Sequence, residues 1–444
     1  MRVPERLATA CNPAVGFRAG ILIGLSAVVL IAWTVLGGAD RWDESTNRIE
    51  AYALKLATQA TFRAGTDLTG TLVPTVTSSA ELAAAIGVNV HLTYDRSPYR
   101  QTAAVVDALR YLGVTRVRDY APERGRTDVR YDTLAAAGIG FDLFVPDQPS
   151  RVDAVDALER RHKGAVAAIE GPNEINNFPV QYDSKSGLSA ARALQAALFH
   201  TVRARPALAD KPVYMFTGYP VDASADMANV HAYAHRGDNP VETLLVALMQ
   251  TTRGHPRAPF VVTETGYFTA GADVGWGGVT PADQARLELE GILDAVRLGA
   301  RAVYLYELLD GDRDRGKVDQ EHHFGLFDAD DHPKPAAVAL HNLMADLKPH
   351  TPSTRCAPPT PRITGGTASW LRLQDHASPL RLVVWRGPRD LARTGRLDLD
   401  LGGRTGRVQA YHPLLGEGPD GPAASRTRLS VTVDRGPVLV EIGC

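Results

Sequence analysis

Short apolar runs alternate with longer amphipathic segments through the middle of the chain. The apolar runs are strand candidates: Ile86–Leu92, Val114–Asp119, Ile139–Val145, Val166–Glu170, Val213–Thr217, Ala228–Ala232, Phe260–Glu264 and Ala302–Tyr306. Alanine- and leucine-rich helical patterns fill most of the gaps, as in Tyr99–Leu112, Leu188–Arg205 and Pro281–Leu298. Eight strands alternating with helices over residues 85–348 predict an α/β fold, a (β/α)8 TIM barrel, which typically takes ~250 residues.

One connection in this pattern is short. Only residues 218–227 separate the fifth and sixth strand candidates, whereas a parallel crossover normally needs about a dozen residues or more. We therefore expect a tight loop without a proper helix at this point, or a shifted strand boundary.

The pattern changes after Pro349. A proline-rich linker, HTPSTRCAPPTPR, leads into short β-like runs separated by Gly, Pro and Asp turns. The runs are SWLRLQ, LRLVVW, GRLDLDL, GRVQAYH, TRLSVTV and PVLVEIG. Residues 349–444 are therefore predicted to form a small antiparallel β-sandwich.

The N-terminus carries a long apolar run. Between Arg18 and Asp40 lie 21 uncharged residues, AGILIGLSAVVLIAWTVLGGA, close to the ~20 that span a bilayer as a helix. Arginines precede the run and acids follow it, which predicts a single-pass anchor over residues 1–40 in the cell inner membrane, a spacer over 41–84 and a periplasmic body. Gly37 and Ala39 resemble a cleavage site, so a removed signal peptide and a secreted product are the alternative.

Composition and cysteine content limit the function classes. The net charge of −2 provides no electrostatic footprint for nucleic acid. Of three cysteines, Cys11 precedes the anchor and is expected to stay reduced. Cys356 and Cys444 could form a disulfide in an exported protein or remain two unpaired thiols, because spacing alone does not show that they meet.

Two glutamates fall at predicted strand ends. Glu174, in EGPNE, follows the fourth candidate strand, and Glu264, in VTETGY, ends the seventh. They are 90 residues apart, about three β/α units of ~31 residues each, and TIM-barrel chemistry takes place at the carboxyl ends of the strands. We expect them to face one another across one mouth, as glycosidic bond cleavage requires of an acid and a nucleophile.

Other polar residues are predicted at the same mouth. Period-two alternation places His231 and Tyr233 on one face of the sixth strand. Arg118 either holds the nucleophilic carboxylate ionised or belongs to a structural ion pair. Trp276, in a Gly-rich loop, either stacks on a sugar ring or packs within its loop. Glu170 is predicted to be a structural carboxylate within the barrel.

The acid-rich run DGDRDRGKVDQE imitates a calcium-binding EF-hand loop. Arg315 stands where that loop requires a glycine, and a barrel strand rather than a helix precedes it. We therefore expect a solvated acidic loop at the barrel mouth, not a metal site.

Together these motifs resemble the clan A retaining glycoside hydrolases, the "4/7" barrels. The ending YELLDGDRDRGKVDQEHHFGLFDADDHPKPAAVALHNL is similar to barrels of family 39 type, and the whole layout resembles family 39-like bacterial enzymes associated with exopolysaccharides. The resemblance implies that Glu174 is the acid/base and Glu264 the nucleophile. It also implies that Asn173 contacts the sugar 2-hydroxyl, and that His231 and Tyr233 orient the nucleophile.

The chain departs from the family at three places. Pro172 replaces an aromatic residue before the Asn, and Ile175 replaces a proline after the Glu. The eighth strand offers Tyr304 and Tyr306 in place of a tryptophan. Tyr306 is therefore a candidate for the sugar-binding floor.

These features predict a monomeric retaining O-glycosyl hydrolase that acts on an extracytoplasmic poly- or oligosaccharide and needs no metal or organic cofactor. Glu174 is expected to start protonated, because the nearby Glu264 carboxylate would raise its pKa. The alternative is a non-catalytic, membrane-tethered carbohydrate-binding protein with a degenerate barrel.

Overall fold

The structure is a computed structural model. It describes residues 78–348, except 124, 126–127, 312–313 and 315, and residues 362–443, except 367, 374, 376–378, 388–394 and 402–406. The predicted anchor, most of the predicted spacer and all three cysteines lie outside the described residues. No helix within the described ranges is long and apolar enough to cross a membrane.

The first described range alternates strands and helices, as predicted. Its strands are β1 Ile86–Asn89, β2 Arg116–Tyr120, β3 Gly140–Phe144, β4 Val166–Glu170, β5 Gln181–Tyr182, β6 Lys185–Ser186, β7 Val213–Tyr214, β8 Ala228–His231, β9 Phe260–Thr265 and β10 Val303–Leu305. Its helices are α1 Ser79–Ala85, α2 Thr102–Leu112, α3 Asp128–Ala136, α4 Val152–Arg161, α5 Gly187–Arg203, α6 Pro240–Thr251, α7 Pro281–Leu298 and α8 Pro335–Asp346.

The helix ends follow local sequence chemistry, as α7 shows. The Thr280 side chain accepts a hydrogen bond from the Asp283 backbone N–H, and Pro281 occupies the first turn, where its missing N–H costs nothing. Gly299 ends the helix in the left-handed conformation, with φ 102. These signals explain why the predicted limits of this helix match the observed ones.

Eight strands form one parallel sheet in the order β7-β4-β3-β2-β1-β10-β9-β8. A parallel bridge between Tyr214 and Met227, with a 3.0 Å hydrogen bond from Met215 N to Met227 O, joins the two ends. The barrel is therefore closed, and the predicted TIM barrel is confirmed. Residues 215–227, between β7 and β8, contain no helix, so the expectation for this short connection is also confirmed.

The second described range is an antiparallel sandwich. Its strands are β11 Arg362–Gly366, β12 Ser369–Leu373, β13 Leu380–Trp385, β14 Arg396–Asp400, β15 Arg407–Tyr411, β16 Ala424–Ser425, β17 Arg428–Thr432 and β18 Val438–Ile442. They form a three-stranded sheet, β11-β14-β17, and a five-stranded sheet, β12-β13-β18-β15-β16. Leu382 of β13 and Leu397 of β14 belong to one apolar core, which the two sheets share.

The five-stranded sheet also packs against the barrel. Every residue of β13 is buried: Leu382 belongs to the sandwich core, whereas Val383 and Trp385 belong to the barrel core. The Trp385 indole Nε1 donates to Asp294 Oδ1 of α7 at 3.0 Å. Because period-two alternation gives a strand two faces, a strand buried throughout its length joins two cores.

A polar contact ties the start of the barrel to the sandwich and corrects the predicted spacer. Residues 79–84, assigned to the spacer, lie in α1, and the backbone N–H of Ser79 donates to Asp375 at 2.8 Å. The buried guanidinium of Arg381 contacts the Ser79 hydroxyl at 3.2 Å and Glu441 at 3.0 Å. The folded unit therefore begins before the predicted boundary.

Candidate active site

Glu174 and Glu264 meet at the carboxyl-end mouth of the barrel. Glu264 lies in β9, and Glu174 lies four residues after β4, where a backbone φ of 39 turns the chain sharply. One donor atom from each glutamate and one ring nitrogen of His231 all lie within 4.8 Å of one another. Both glutamates line a cavity of about 530 Å³. The predicted convergence of the two carboxylates is thus observed.

The Glu264 side chain is more buried than that of Glu174. It is 9% exposed, against 22% for Glu174. Arg118 Nη1 donates to Glu264 Oε1 at 2.5 Å, and the Tyr233 hydroxyl donates to Oε2 at 2.6 Å. A charge-assisted donor on each oxygen stabilises the carboxylate form and fixes its orientation.

Arg118 makes both of the contacts that its position in the sequence left open, one to Glu264 and one to Glu170. Its guanidinium forms a fork with Glu170 through two 2.8 Å contacts, so Glu170, which is fully buried, is the structural carboxylate expected. The same group donates to Asn89 Oδ1 at 3.0 Å and to Asn173 Oδ1 at 2.7 Å. Burial opposes the charge of Arg118, but the carboxylates of Glu170 and Glu264 raise its pKa.

Glu174 differs from the expectation. Burial raises the pKa of Glu174, but hydrogen bonds from His231 and Asn177, together with the charge of His231, outweigh burial and lower the pKa to about 2. His231 Nδ1 lies 2.8 Å from Glu174 Oε1, and Asn177 Nδ2 lies 2.8 Å from Oε2. The prediction that Glu264 keeps Glu174 protonated was therefore wrong. His231 lies next to both carboxylates, with Nδ1 at 3.5 Å from Glu264 Oε2.

A chain of hydrogen bonds fixes the other side of the His231 ring. Asn229 donates its amide hydrogens to Glu170 and to the Met215 carbonyl, so its Oδ1 is an acceptor. Thr263 donates its hydroxyl hydrogen to that oxygen at 2.5 Å, which leaves Thr263 Oγ1 to accept from His231 Nε2 at 3.0 Å. His231 therefore carries a hydrogen on Nε2, and only Nδ1 can exchange a proton with the carboxylates.

Aromatic side chains form much of the cavity wall. Trp276 lines it and also packs against other rings, stacked on His235 of the segment after β8 at 5.4 Å and edge-on to Phe268 of its own loop at 5.6 Å. Tyr306, just after β10, lines the cavity as predicted, whereas Tyr304, within β10, is fully buried and does not line it. Alternation puts residues two apart on one face, so position along the strand rather than alternation separates the two tyrosines.

Several wall residues were not predicted from the sequence. They are Tyr94, Tyr120, Phe144, Asn177, Phe178, His235, Gln320, Glu321 and Phe324. Most of them lie in loops after the strands, where no periodicity reports which side chain turns inward. The motif that contains Asn173 and Glu174 continues to Asn177 and Phe178. Its position directly after a strand end was the signal that these two residues also lie at the mouth.

Metal ligation has one candidate position among the described residues. Glu174, His231 and Glu264 each offer a donor atom that a single cation could reach. However, His231 Nδ1 and Glu174 Oε1 already contact each other, and the Glu264 carboxylate already accepts hydrogen bonds from Arg118 and Tyr233. In the acid-rich loop, the Asp314 carboxylate accepts the backbone N–H groups of residues 316, 318 and 319, which is turn chemistry rather than cation ligation.

No protein-family model matches the chain, and no curated protein matches it. A family 39 glycoside hydrolase from the gut symbiont Bacteroides cellulosilyticus WH2 is similar in structure, with a TM-score of 0.51, 14% identity and coverage of 83% of each chain. The GH39 enzyme from Xanthomonas axonopodis pv. citri has a TM-score of 0.47 and 14% identity, over 84% of this chain and 97% of that one. A family 17 β-1,3-glucanosyltransferase from Rhizomucor miehei has a TM-score of 0.43 and 15% identity, over 56% and 95%. The first likeness extends over barrel and sandwich, and it confirms the resemblance to family 39 barrels at the level of the fold.

Proposed function

We propose that this protein is a retaining glycoside hydrolase that acts on a poly- or oligosaccharide. The observation that carries the proposal is the approach of Glu174 and Glu264, with an oxygen of each inside a 4.8 Å group. Retaining enzymes hold their two carboxyl groups ~5–5.5 Å apart, whereas inverting enzymes leave ~6.5–9.5 Å for a water molecule. The fold likeness to a family 39 glycoside hydrolase agrees with this assignment.

Glu264 is the nucleophile in the first step. Its carboxylate, held by Arg118 and Tyr233, attacks the anomeric carbon, and the bond from that carbon to the leaving oxygen breaks as Glu174 supplies a proton. Asn173 has its Oδ1 engaged by Arg118, so it offers the Nδ2 donor to the sugar 2-hydroxyl. That hydrogen bond strengthens in the transition state.

The proton comes from the pair that Glu174 forms with His231. In the free protein the lowered pKa of Glu174 favours its carboxylate form, and the proton that it shares with His231 lies across the 2.8 Å contact between His231 Nδ1 and Glu174 Oε1. As negative charge develops on the leaving oxygen, the proton passes through Glu174 to that oxygen, and His231 becomes neutral. In the second step Glu174 takes a proton from the attacking water and returns it to His231, while Glu264 is released with net retention.

One observation favours a second candidate, a carbohydrate-binding protein without catalysis. An ionised Glu174 with a pKa of about 2 has no proton of its own to donate. Ile175, which departs from the family pattern, is 5% exposed and packs into the barrel core rather than shaping the site. This candidate requires that the proton on His231 never reaches a bound saccharide.

The stereochemistry of the product tests the proposal. The purified full chain is incubated with a panel of aryl glycosides and defined oligosaccharides, and the first-formed anomer is read by proton NMR. We expect retention, loss of turnover in Glu264→Gln with saccharide binding kept, and no change on adding a chelator. Inversion, or binding without any turnover across the panel, would overturn the proposal, and the latter would establish the binding protein. Loss of turnover with a chelator would instead assign the Glu174–His231–Glu264 cluster to a metal.

We also propose that residues 1–40 anchor the protein in the inner membrane, with the barrel outside the cytoplasm. The support is the run of 21 uncharged residues between Arg18 and Asp40. The undigested protein should fractionate with membranes. Protease added to intact spheroplasts should digest the barrel, because it lies outside the cytoplasm. A mature N-terminus near residue 40 would show that the segment is a cleaved signal instead.

A further inference from the structure

Phe178 is a large apolar side chain that the structure leaves in solvent. Its side chain is 58% exposed, although it lies in the wall of the catalytic cavity. Its apolar neighbours along the chain behave differently, since Ile175 and Val180 are each 5% exposed and belong to the barrel core. The loop after β4 is thus anchored by two smaller apolar residues and presents its aromatic ring outward.

The position of Phe178 is tied to the acid. The backbone N–H groups of Asn177 and Phe178 both donate to the Glu174 carbonyl at 2.8 Å, and the Asn177 side chain donates to the Glu174 carboxylate. This turn follows directly from the left-handed backbone of Glu174, with φ 39. Because one short turn carries both residues, the backbone of Phe178 is held at a fixed position relative to that of Glu174.

Side-chain exposure shows which part of a substrate would reach the ring. The side chains of Glu264 and Glu174 are 9% and 22% exposed and the Phe178 residue is 58% exposed, so exposure along the cavity wall increases from Glu264 through Glu174 to Phe178. The sugar that is attacked must lie over Glu264, and the leaving group must begin at Glu174. The group released by cleavage therefore leads outward onto Phe178.

We infer that Phe178 forms a stacking platform for a sugar ring on the leaving-group side of the scissile bond. This inference rests on the proposed glycosidase function and adds that the natural leaving group is itself a saccharide. A pyranose has apolar C–H faces that cover an aromatic ring and hydroxyl edges that need polar partners. Asn176 and Asn177, both exposed, precede the ring in the chain. Asn176 Nδ2 donates to Asn177 Oδ1 at 3.1 Å and Asn177 Nδ2 donates to Glu174, which leaves the Asn176 amide oxygen to accept from those edges.

Two substrates with the same glycone separate the role of Phe178 from the chemistry. One is a disaccharide or longer oligosaccharide, and the other is the corresponding glycosyl fluoride, whose leaving group cannot reach the ring. Phe178→Ala should lower kcat/KM on the oligosaccharide about tenfold and change it less than about twofold on the fluoride. Phe178→Trp should restore the oligosaccharide rate, because it restores an aromatic face. Leu415→Ala, which removes a side chain of matching 57% exposure outside the cavity, should change neither rate.

The outcomes distinguish the inference from the proposed function. Equal losses on both substrates, or no loss on either, would overturn the platform while the glycosidase assignment stands. If the parent cleaves neither substrate, a defined oligosaccharide array decides. Binding that falls in Phe178→Ala would keep the platform without the enzyme, and binding that is unchanged or absent would overturn both.

Discussion

His231 Nδ1 lies 2.8 Å from Glu174 Oε1, so an imidazole from the end of β8 shares one exchangeable proton with the carboxylate that follows β4. The opposite ring nitrogen is held as a donor by Thr263, which fixes the side from which that proton moves. The contact stabilises an ionised Glu174 in the free protein, and under the proposed function it also supplies the acid that cleavage needs.

The first prediction concerns this shared proton. His231→Asn keeps a polar group near Glu174 but removes the titratable nitrogen. We expect kcat to fall about 10²-fold or more for substrates with saccharide leaving groups, since general acid catalysis contributes ~10²–10⁴, and much less for glycosyl fluorides. Thr263→Val, which removes the acceptor for His231 Nε2 and the donor to Asn229 but keeps the exchangeable nitrogen, should cost far less. Equal losses on both leaving groups would show that His231 is merely structural.

The second prediction concerns the Tyr233 hydroxyl, which donates to the proposed nucleophile Glu264. Tyr233→Phe removes the 2.6 Å hydrogen bond to Glu264 Oε2, and a hydrogen bond to a charged group contributes about 1.5–3 kcal/mol. We expect kcat/KM to fall roughly 10- to 100-fold. Tyr304→Phe is the matched control, because that hydroxyl is buried, has no hydrogen-bond partner and lies outside the cavity. Its activity should equal the parent's; similar losses in both variants would contradict the assignment.

The third prediction concerns the guanidinium beneath the site. Arg118→Lys cannot reproduce the fork to Glu170 together with contacts to Glu264 and Asn173. Because Glu170 is fully buried, losing its partner should lower the free energy of unfolding by about 3–5 kcal/mol and abolish activity. Arg151→Lys, at a partly exposed pair with Asp147, should cost less than about 1 kcal/mol. Matching denaturation midpoints for the two variants would refute this account.

The fourth prediction concerns pH and α7. Burial raises the pKa of Glu288 to about 8 and those of Glu290 and Asp294 to about 7. In the unfolded chain these groups lose their protons near pH 4, while the folded protein keeps them bound. The stabilisation is therefore complete below about pH 4 and is lost as pH rises to about 8, so the free energy of unfolding should fall over that range by at least about 2 kcal/mol.

Asp294→Asn tests the fourth prediction directly. The amide oxygen can still accept from Trp385, so the contact with the sandwich stays while the titration disappears. Urea unfolding at pH 5.5 and pH 8 should show a smaller difference in the variant than in the parent. Asp107→Asn, at a side chain that is 78% exposed, is the control and should leave the pH dependence unchanged. A parent that is more stable at pH 8 would contradict the expected sign.

The barrel and the meeting of its two glutamates could be predicted from the sequence because both depend on periodicity. Runs such as Phe260–Glu264 predict buried strands, strand ends share one mouth, and alternation along the sixth predicted strand points to His231 and Tyr233. These features depend on the order of apolar and polar residues within single strands, and the sequence contains that order directly.

What only the tertiary structure decided is the state and surroundings of those side chains. The charge on Glu174 depends on His231, which lies 57 residues away in sequence but 2.8 Å away in space, and Arg118 binds Glu170 and Glu264 at once. The outward ring of Phe178 likewise depends on which neighbours fill the core. Side-chain pairing and burial depend on contacts between strands, and the pattern within one strand does not specify which side chain of another strand it will contact.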